Sequence, residues 1–155
     1  MSFESPSFNS SMEKNFSGKK IAIIRSLWNK NITDLLLQSA TNYLKSVGFN
    51  EKDILIKNVP GSMELVYGCN EMIEKEKVDG VIALGCVIKG ETDHDQYISN
   101  AVSNGLISLC LKYSKPVIFG VLTTNNLNQA IDRCGGKRGD KGLESAKSLV
   151  YLLSN

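Results

Sequence analysis

A chain of 155 residues is long enough to bury one ordinary hydrophobic core without disulfides or metal to hold it. Its 42% hydrophobic and 22% charged residues are average for a globular protein and exclude a disordered or fibrous chain. A net charge of +2, with Lys and Arg scattered rather than gathered among aromatics, points away from nucleic acid.

Residues 1–17, MSFESPSFNSSMEKNFS, are rich in Ser and Asn and predict a tail, whose three Phe suggest that it lies against something. It lacks the basic start and apolar core of a secretory leader. From residue 18 onward one domain is expected. The run KKIAIIR from Lys19 predicts a buried parallel strand, and the segment opening at Asn31 has apolar residues at Ile32, Leu35, Leu36, Tyr43, Leu44 and Val47, a helical spacing that Gly48 ends. The alternation continues through the strand ILIKNV, a helix over Glu64 to Glu76, the strand run VDGVIALGCVI, a helix from His94 to Tyr113 and the strand PVIFGVLTT. Helical segments around Leu127 to Arg133 and Leu143 to Leu153 finish the chain.

Four apolar strands alternating with helices predict an α/β three-layer sandwich on a four-stranded parallel sheet. Ligands in such a sheet gather beyond the carboxyl ends of the strands. That rule selects residues 26–30, 60–64, 86–95 and 123–126.

The segment GCVIKGETDHDQY, residues 85 to 97, has the richest chemistry. Thr92 and Asp95 have capping-box spacing, so a well-made helix start explains them. The same loop offers the backbone N–H groups of Gly90, Glu91 and Thr92 to a phosphate. His94, the single histidine, stands in the first turn of that helix, where an imidazole can both give and take protons near neutrality. In VPGSMEL, Pro60 and Gly61 form a turn with Ser62 as the expected N-cap, leaving Glu64 free to accept bonds from an N–H-rich heterocycle. Trp28, beside Asn29, is either packing or a stacking surface for a planar ring, and Phe119, inside an apolar strand, reads as core. RCGGKRGDKG, residues 133 to 142, is a flexible charged connection or a loop whose cations meet a phosphate. Neither GxxxxGK[ST] nor a GxGxxG after the first strand is present. Cys69, Cys86, Cys110 and Cys134 lack metal or redox spacing and read as free thiols, and no apolar run reaches the ~20 residues that span a bilayer. A soluble cytoplasmic protein without metal is expected.

Taken in order, IAIIRSLWN, VPGSMEL, ALGCVIKGETDH, PVIFGVLTT and AIDRCGGKRGDKG resemble the lumazine synthase family in register from Lys19 onward. The resemblance implies a flavodoxin-like fold and the condensation of 5-amino-6-(D-ribitylamino)uracil with 3,4-dihydroxy-2-butanone 4-phosphate to 6,7-dimethyl-8-ribityllumazine, a step of riboflavin biosynthesis that releases phosphate and water without a cofactor. It implies that Trp28 and Asn29 line the ring site and that Ser62, Met63, Glu64, Cys86, Val87 and Ile88 bind the pyrimidine edge and ribityl chain. Glu91 and Thr92 would hold phosphate, joined by Arg133 from a neighbouring subunit that also supplies Phe119. His94 would shuttle protons with Lys141 as a charged helper. Pentamers are implied too, some closing into icosahedral 60-mers, with riboflavin synthase as a possible partner.

Lys89, Ser62, Asp95 and Gln96 depart from the usual pattern, which predicts altered kinetics rather than lost activity. The alternatives to an enzyme are a non-catalytic flavin- or lumazine-binding module and a purely structural shell protein.

Overall fold

In the computed structural model, which describes residues 15–154, four parallel strands lie in the order β2-β1-β3-β4. They are β1 (Ile21–Ser26), β2 (Ile54–Val59), β3 (Gly80–Ile88) and β4 (Val117–Thr124). Pairing is continuous, with Ile21 opposite both Ile54 and Gly80, and Val81 opposite Val117. The α/β class and four-stranded parallel sheet expected from the alternating runs are therefore present, and they agree with a flavodoxin-like fold.

Parallel strands need crossovers, and the helices that make them cover both faces. On one face α1 (Lys30–Ser46) and α5 (Lys141–Leu153) bury Ile32, Leu36, Leu44, Ala146 and Leu149 against Ile21, Ile23, Ile82 and Leu84. On the other, α2 (Leu65–Lys75) and α3 (His94–Tyr113) bury Leu65, Ile73, Val102 and Leu106 against Ala22, Ile24, Val81 and Ala83. Each of the Ile, Leu and Val side chains among them contributes roughly 1.5–3 kcal/mol of transfer free energy. The period-2 alternation of the strands thus sorts neighbouring residues into separate cores.

Several expectations shift in detail. The tail expected over residues 1–17 lies mostly outside the described residues, as do Phe3 and Phe8. Phe16, however, is buried and stacks on Phe49 at 4.3 Å between ring centroids, so the core reaches back to it. α1 starts at Lys30, one residue before Asn31, and is followed by Gly48 with φ +107°, the left-handed position expected of that glycine. The helix expected over Leu127 to Arg133 is α4 (Leu127–Ile131), and α5 begins at Lys141 rather than Leu143, because Asp140 caps the backbone N–H of Leu143. The connection over 133–142 is an ordered antiparallel hairpin, β5 (Cys134–Gly136) and β6 (Gly139–Asp140), fastened by backbone bonds from Arg138 to Asp132 and from Lys141 to Arg133. Paired glycines carry no apolar period, so the sequence reading as a flexible connection missed it.

The edge of the sheet is tied by charge. Glu71 of α2 accepts bonds from Lys57 of β2 and from Lys75, which hold its carboxyl down at about 2. A carboxylate depressed from 4.5 on folding contributes stability that is complete above the unfolded value and is lost as pH falls toward about 2. Glu71→Gln is therefore expected to remove part of the acid limb of stability. The difference in Tm between wild type and variant should shrink between about pH 6 and about pH 3, and a difference that stays constant with pH would refute the assignment.

Candidate active site

The chain lays β2 on one side of β1 and then passes to β3 on the other, so the order reverses between β1 and β3. Ligands bind in the crevice outside the carboxyl ends at such a point. Residues leaving β1, β2 and β3 meet there.

Beyond β1, the N–H groups of Leu27 and Trp28 donate to the carbonyl of Pro60, which docks the β1 exit onto the β2 exit. Asn29 follows with φ +54°, a left-handed conformation that Asn tolerates better than most residues, and this turns the chain sharply into α1. Its amide donates to the carbonyl of Cys86 at 2.9 Å, linking the exits of β1 and β3. Trp28 is left 73% exposed, with its ring edge over Gly61, where an added Cβ would come within 3.4 Å. The Glu64 carboxylate accepts from the Gly61 N–H at 2.8 Å. Trp28, Gly61 and Glu64 therefore form one open shelf, with Met63 half exposed at its side. An indole face beside a carboxylate acceptor suits a planar heterocycle bearing N–H groups.

Ser62 corrects the sequence reading. It does not cap α2, because Glu64 occupies the N-cap position and Ser62 contributes only its carbonyl, to Leu65 N–H at 3.2 Å. Its side chain is buried against Gly85 instead. The capping box at Thr92 and Asp95 also fails to form: Asp93 is the N-cap of α3 without a side-chain cap bond, and Thr92 Oγ1 accepts only a long bond from His94 N–H at 3.4 Å. The sequence spacing was right, but the chain enters the helix one residue later than a box requires. Lys89, Gly90, Glu91, Thr92 and His94 are consequently exposed, and nothing lies within 4 Å of a Cβ built on Gly90. This stretch is an open edge at a helix N-terminus.

Asp95 turns inward, and its Oδ1 is buried without a hydrogen-bond partner among the described residues. It lines a cleft of about 300 Å³ with Gln96, Ser99, Asn100, Thr123, Thr124 and Asn125, between α3 and the exit of β4. Lys89 N–H, bonded to the carbonyl of Thr124 at 2.8 Å, forms the seam. Thus two of the four loops chosen from the sequence meet here, and the other two meet at the Trp28 shelf.

The remaining residues lie apart. Cys86 and Ile88 face the α1 side of β3, Val87 the α2 side. Burial, with Cys134 as a lesser cause, pushes the Cys86 thiol up to about 11, and burial alone pushes Cys69 up to about 12, so neither is a thiolate nucleophile near neutrality. Phe119, expected in the core from its apolar strand, is 40% exposed: β4 is an edge strand, and Phe119 lies at the level of Ala83, well below the carboxyl ends. Arg133 opens the β5–β6 segment and donates to the carbonyl of Gln129 at 3.0 Å, while Lys141 is paired with Glu144 at 2.8 Å. Ser26 and Gly85 lie in segments that the sequence selects, but nothing in the sequence singles either of them out. They sit at strand positions whose meeting is purely tertiary.

Among the described residues no group of three or more His, Cys, Asp or Glu could hold a metal, and no helix is long and apolar enough to cross a membrane.

Comparison with known proteins agrees with this geometry. A protein-family model described as 6,7-dimethyl-8-ribityllumazine synthase matches residues 18–155. The chain is 46% identical over 134 residues to the 6,7-dimethyl-8-ribityllumazine synthase of Bacteroides fragilis, covering 86% of this chain and 94% of that one. It is 46% identical over 140 residues to the protein of that name from Cytophaga hutchinsonii, covering 90% and 88%, and 46% identical over 136 residues to that from Helicobacter pylori, covering 88% and 87%. With the match running through both the shelf and the loop of His94, the chain belongs to the 6,7-dimethyl-8-ribityllumazine synthase family of riboflavin-biosynthesis enzymes.

Proposed function

We propose that the chain condenses 5-amino-6-(D-ribitylamino)uracil with 3,4-dihydroxy-2-butanone 4-phosphate in sites completed by a second copy of itself. The observation that carries this reading is the shelf of Trp28, Gly61 and Glu64 at the reversal point of the sheet, with the exposed His94 loop at the neighbouring strand exit. The pyrimidine stacks on Trp28, with Asn29, Ser62, Met63 and Glu64 at its edge and residues 86–88 along the ribityl chain. The phosphate sits at the N–H groups of Glu91 and Thr92, opposite the Arg133 guanidinium.

The ring amine forms a C–N bond to the ketone carbon, and the carbonyl oxygen leaves as water with protons delivered by His94. His94 then accepts a proton as the C–O bond to phosphate breaks and phosphate leaves with the electron pair. Closure of the second ring expels another water. Lys141 adds positive charge nearby, and much of the acceleration is positional.

Two physical observations support a second copy. The shelf is open to water, whereas ring sites bury most of their ligand. α3 buries Val102, Leu106 and Leu109 yet exposes Tyr97, Ile107 and Leu111 at 74, 55 and 75%, an apolar surface too broad for one layer to cover. With the exposed edge residue Phe119, this surface suits a ring of identical subunits, a pentamer in this reading, working in the cytoplasm. The short GGKRGDKG hairpin favours further closure into a 60-subunit shell, which could hold riboflavin synthase.

Two measurements test the proposal. Purified protein mixed with both substrates should form fluorescent lumazine well above the uncatalysed background. Failure by folded, oligomeric protein would replace the enzyme by a ring-binding module. Co-expressing His94→Ala with Arg133→Ala chains, each nearly inactive alone, should restore about a quarter of wild-type turnover, because random neighbours recreate an intact site at that frequency. No recovery in verified mixed oligomers would place both residues in one chain's site.

A further inference from the structure

Ser26, the last residue of β1, is fully buried, and its hydroxyl has no hydrogen-bond partner among the described residues. A buried polar group left unpaired in the free chain costs stability, and a bond made to the hydroxyl when a ligand binds would offset that cost. Its backbone carbonyl is already occupied by Thr33 Oγ1 at 2.9 Å. The side chain lies on the α2 face of the sheet, because Ala22 and Ile24 of the same strand pack there.

On that face Ser26 converges with Ser62. A Cβ built on Gly85 would stand 2.8 Å from Ser62 Oγ and 3.4 Å from Ser26 Oγ, so both hydroxyls approach one point above Gly85. Only a residue without a side chain leaves this gap open, with Leu65 closing it at 3.0 Å. Ser62 is 7% exposed, next to Met63 and Glu64 on the shelf. The deeper hydroxyl thus lies behind one that reaches the ring site.

We propose that Ser26 is a positioning residue for the ring substrate: with Ser62 it forms a two-hydroxyl floor over Gly85, and it orients the Ser62 hydroxyl toward the polar edge of the heterocycle. The inference rests on the proposed reaction. A hydroxyl can donate or accept, so a bond from Ser62 to Ser26, formed when the ring binds, fixes which of the two Ser62 offers to the ring. Binding of the heterocycle closes the chain of bonds that is incomplete in the free protein.

The test uses the lumazine product as probe in the full-length oligomer, with quenching of Trp28, the sole tryptophan, as the signal. Ser26→Ala and Ser62→Ala are each expected to weaken lumazine binding about five- to tenfold, the worth of one hydrogen bond between neutral groups. The double variant should bind within about twofold of Ser62→Ala, because Ser26 acts through Ser62. KM for the pyrimidine should rise with the dissociation constant while KM for the butanone phosphate holds, and Ser26→Ala should melt no lower than wild type. Unchanged lumazine affinity in Ser26→Ala overturns the inference. So does a lowered Tm with both KM values rising alike, which marks a merely structural hydroxyl. Wild-type protein that neither binds lumazine nor forms it would overturn the proposed reaction, and the inference with it.

Discussion

His94→Ala is expected to lower kcat/KM by about 10²- to 10³-fold while leaving Tm and assembly unchanged. That loss corresponds to roughly 3–4 kcal/mol of transition-state stabilisation. The reaction must protonate a departing oxygen and later remove a proton, and the sequence holds one histidine to do both. It stands in the first turn of α3, exposed, and its backbone N–H makes only the long bond to Thr92. On the proposed mechanism, truncating an exposed side chain there removes proton transfer without opening a cavity, so stability should move by no more than about 0.5 kcal/mol. The remaining rate comes from holding two reactants together, which His94 does not do. Hence KM for both substrates should change little. A loss under about threefold would assign the whole acceleration to positioning.

The fold was legible because its strands are short β-branched runs and its helices have apolar stripes, both local signals. The reading of ILIKNV as a strand matches Ile54–Val59 residue for residue, and His94 to Tyr113 matches α3 likewise. What stayed hidden depends on who is next to whom. Phe119 sits in a run as apolar as β3, but β3 is central and β4 is an edge, and strand order is not written in periodicity. The same limit applies at the site. Trp28, Glu64 and His94 were visible as unusual residues at strand exits, where side chains must face ligand or water. Ser26 and Gly85 fall inside selected segments yet do not stand out, since a serine ending a strand and a glycine inside one have ordinary explanations until the turn after β2 is laid against them. Capping signals misled for a related reason. Ser62 and Thr92 have N-cap chemistry, but α2 and α3 start at Leu65 and His94, which puts Glu64 and Asp93 at the N-cap positions instead.

Gly142→Ala is expected to cost about 2–3 kcal/mol and to lower Tm by roughly 6–10 °C, although alanine is the better helix former by about 1 kcal/mol. Gly142 lies in the first turn of α5, buried where that helix meets α1. A Cβ there would stand 2.2 Å from the carbonyl oxygen of Leu36 and 2.9 Å from its carbon, so the obstacle is α1 backbone, which cannot rotate away. The helices must separate, and the core of Leu36, Ala146 and Leu149 between them loosens. Separation also strains the start of α5, since Asp140 both caps Leu143 and accepts the Ser39 hydroxyl of α1 at 2.7 Å. Lys141 N–H is bonded to the Arg133 carbonyl, so a displaced α5 carries the hairpin and its guanidinium with it. Turnover should therefore fall beyond what the unfolded fraction explains, mainly as a higher KM for the butanone phosphate. Gly90→Ala, with open space around the added methyl, is the stability control. Equal Tm for the two variants would show that α1 and α5 can part without cost, and the close helix contact would then not be what fixes Arg133.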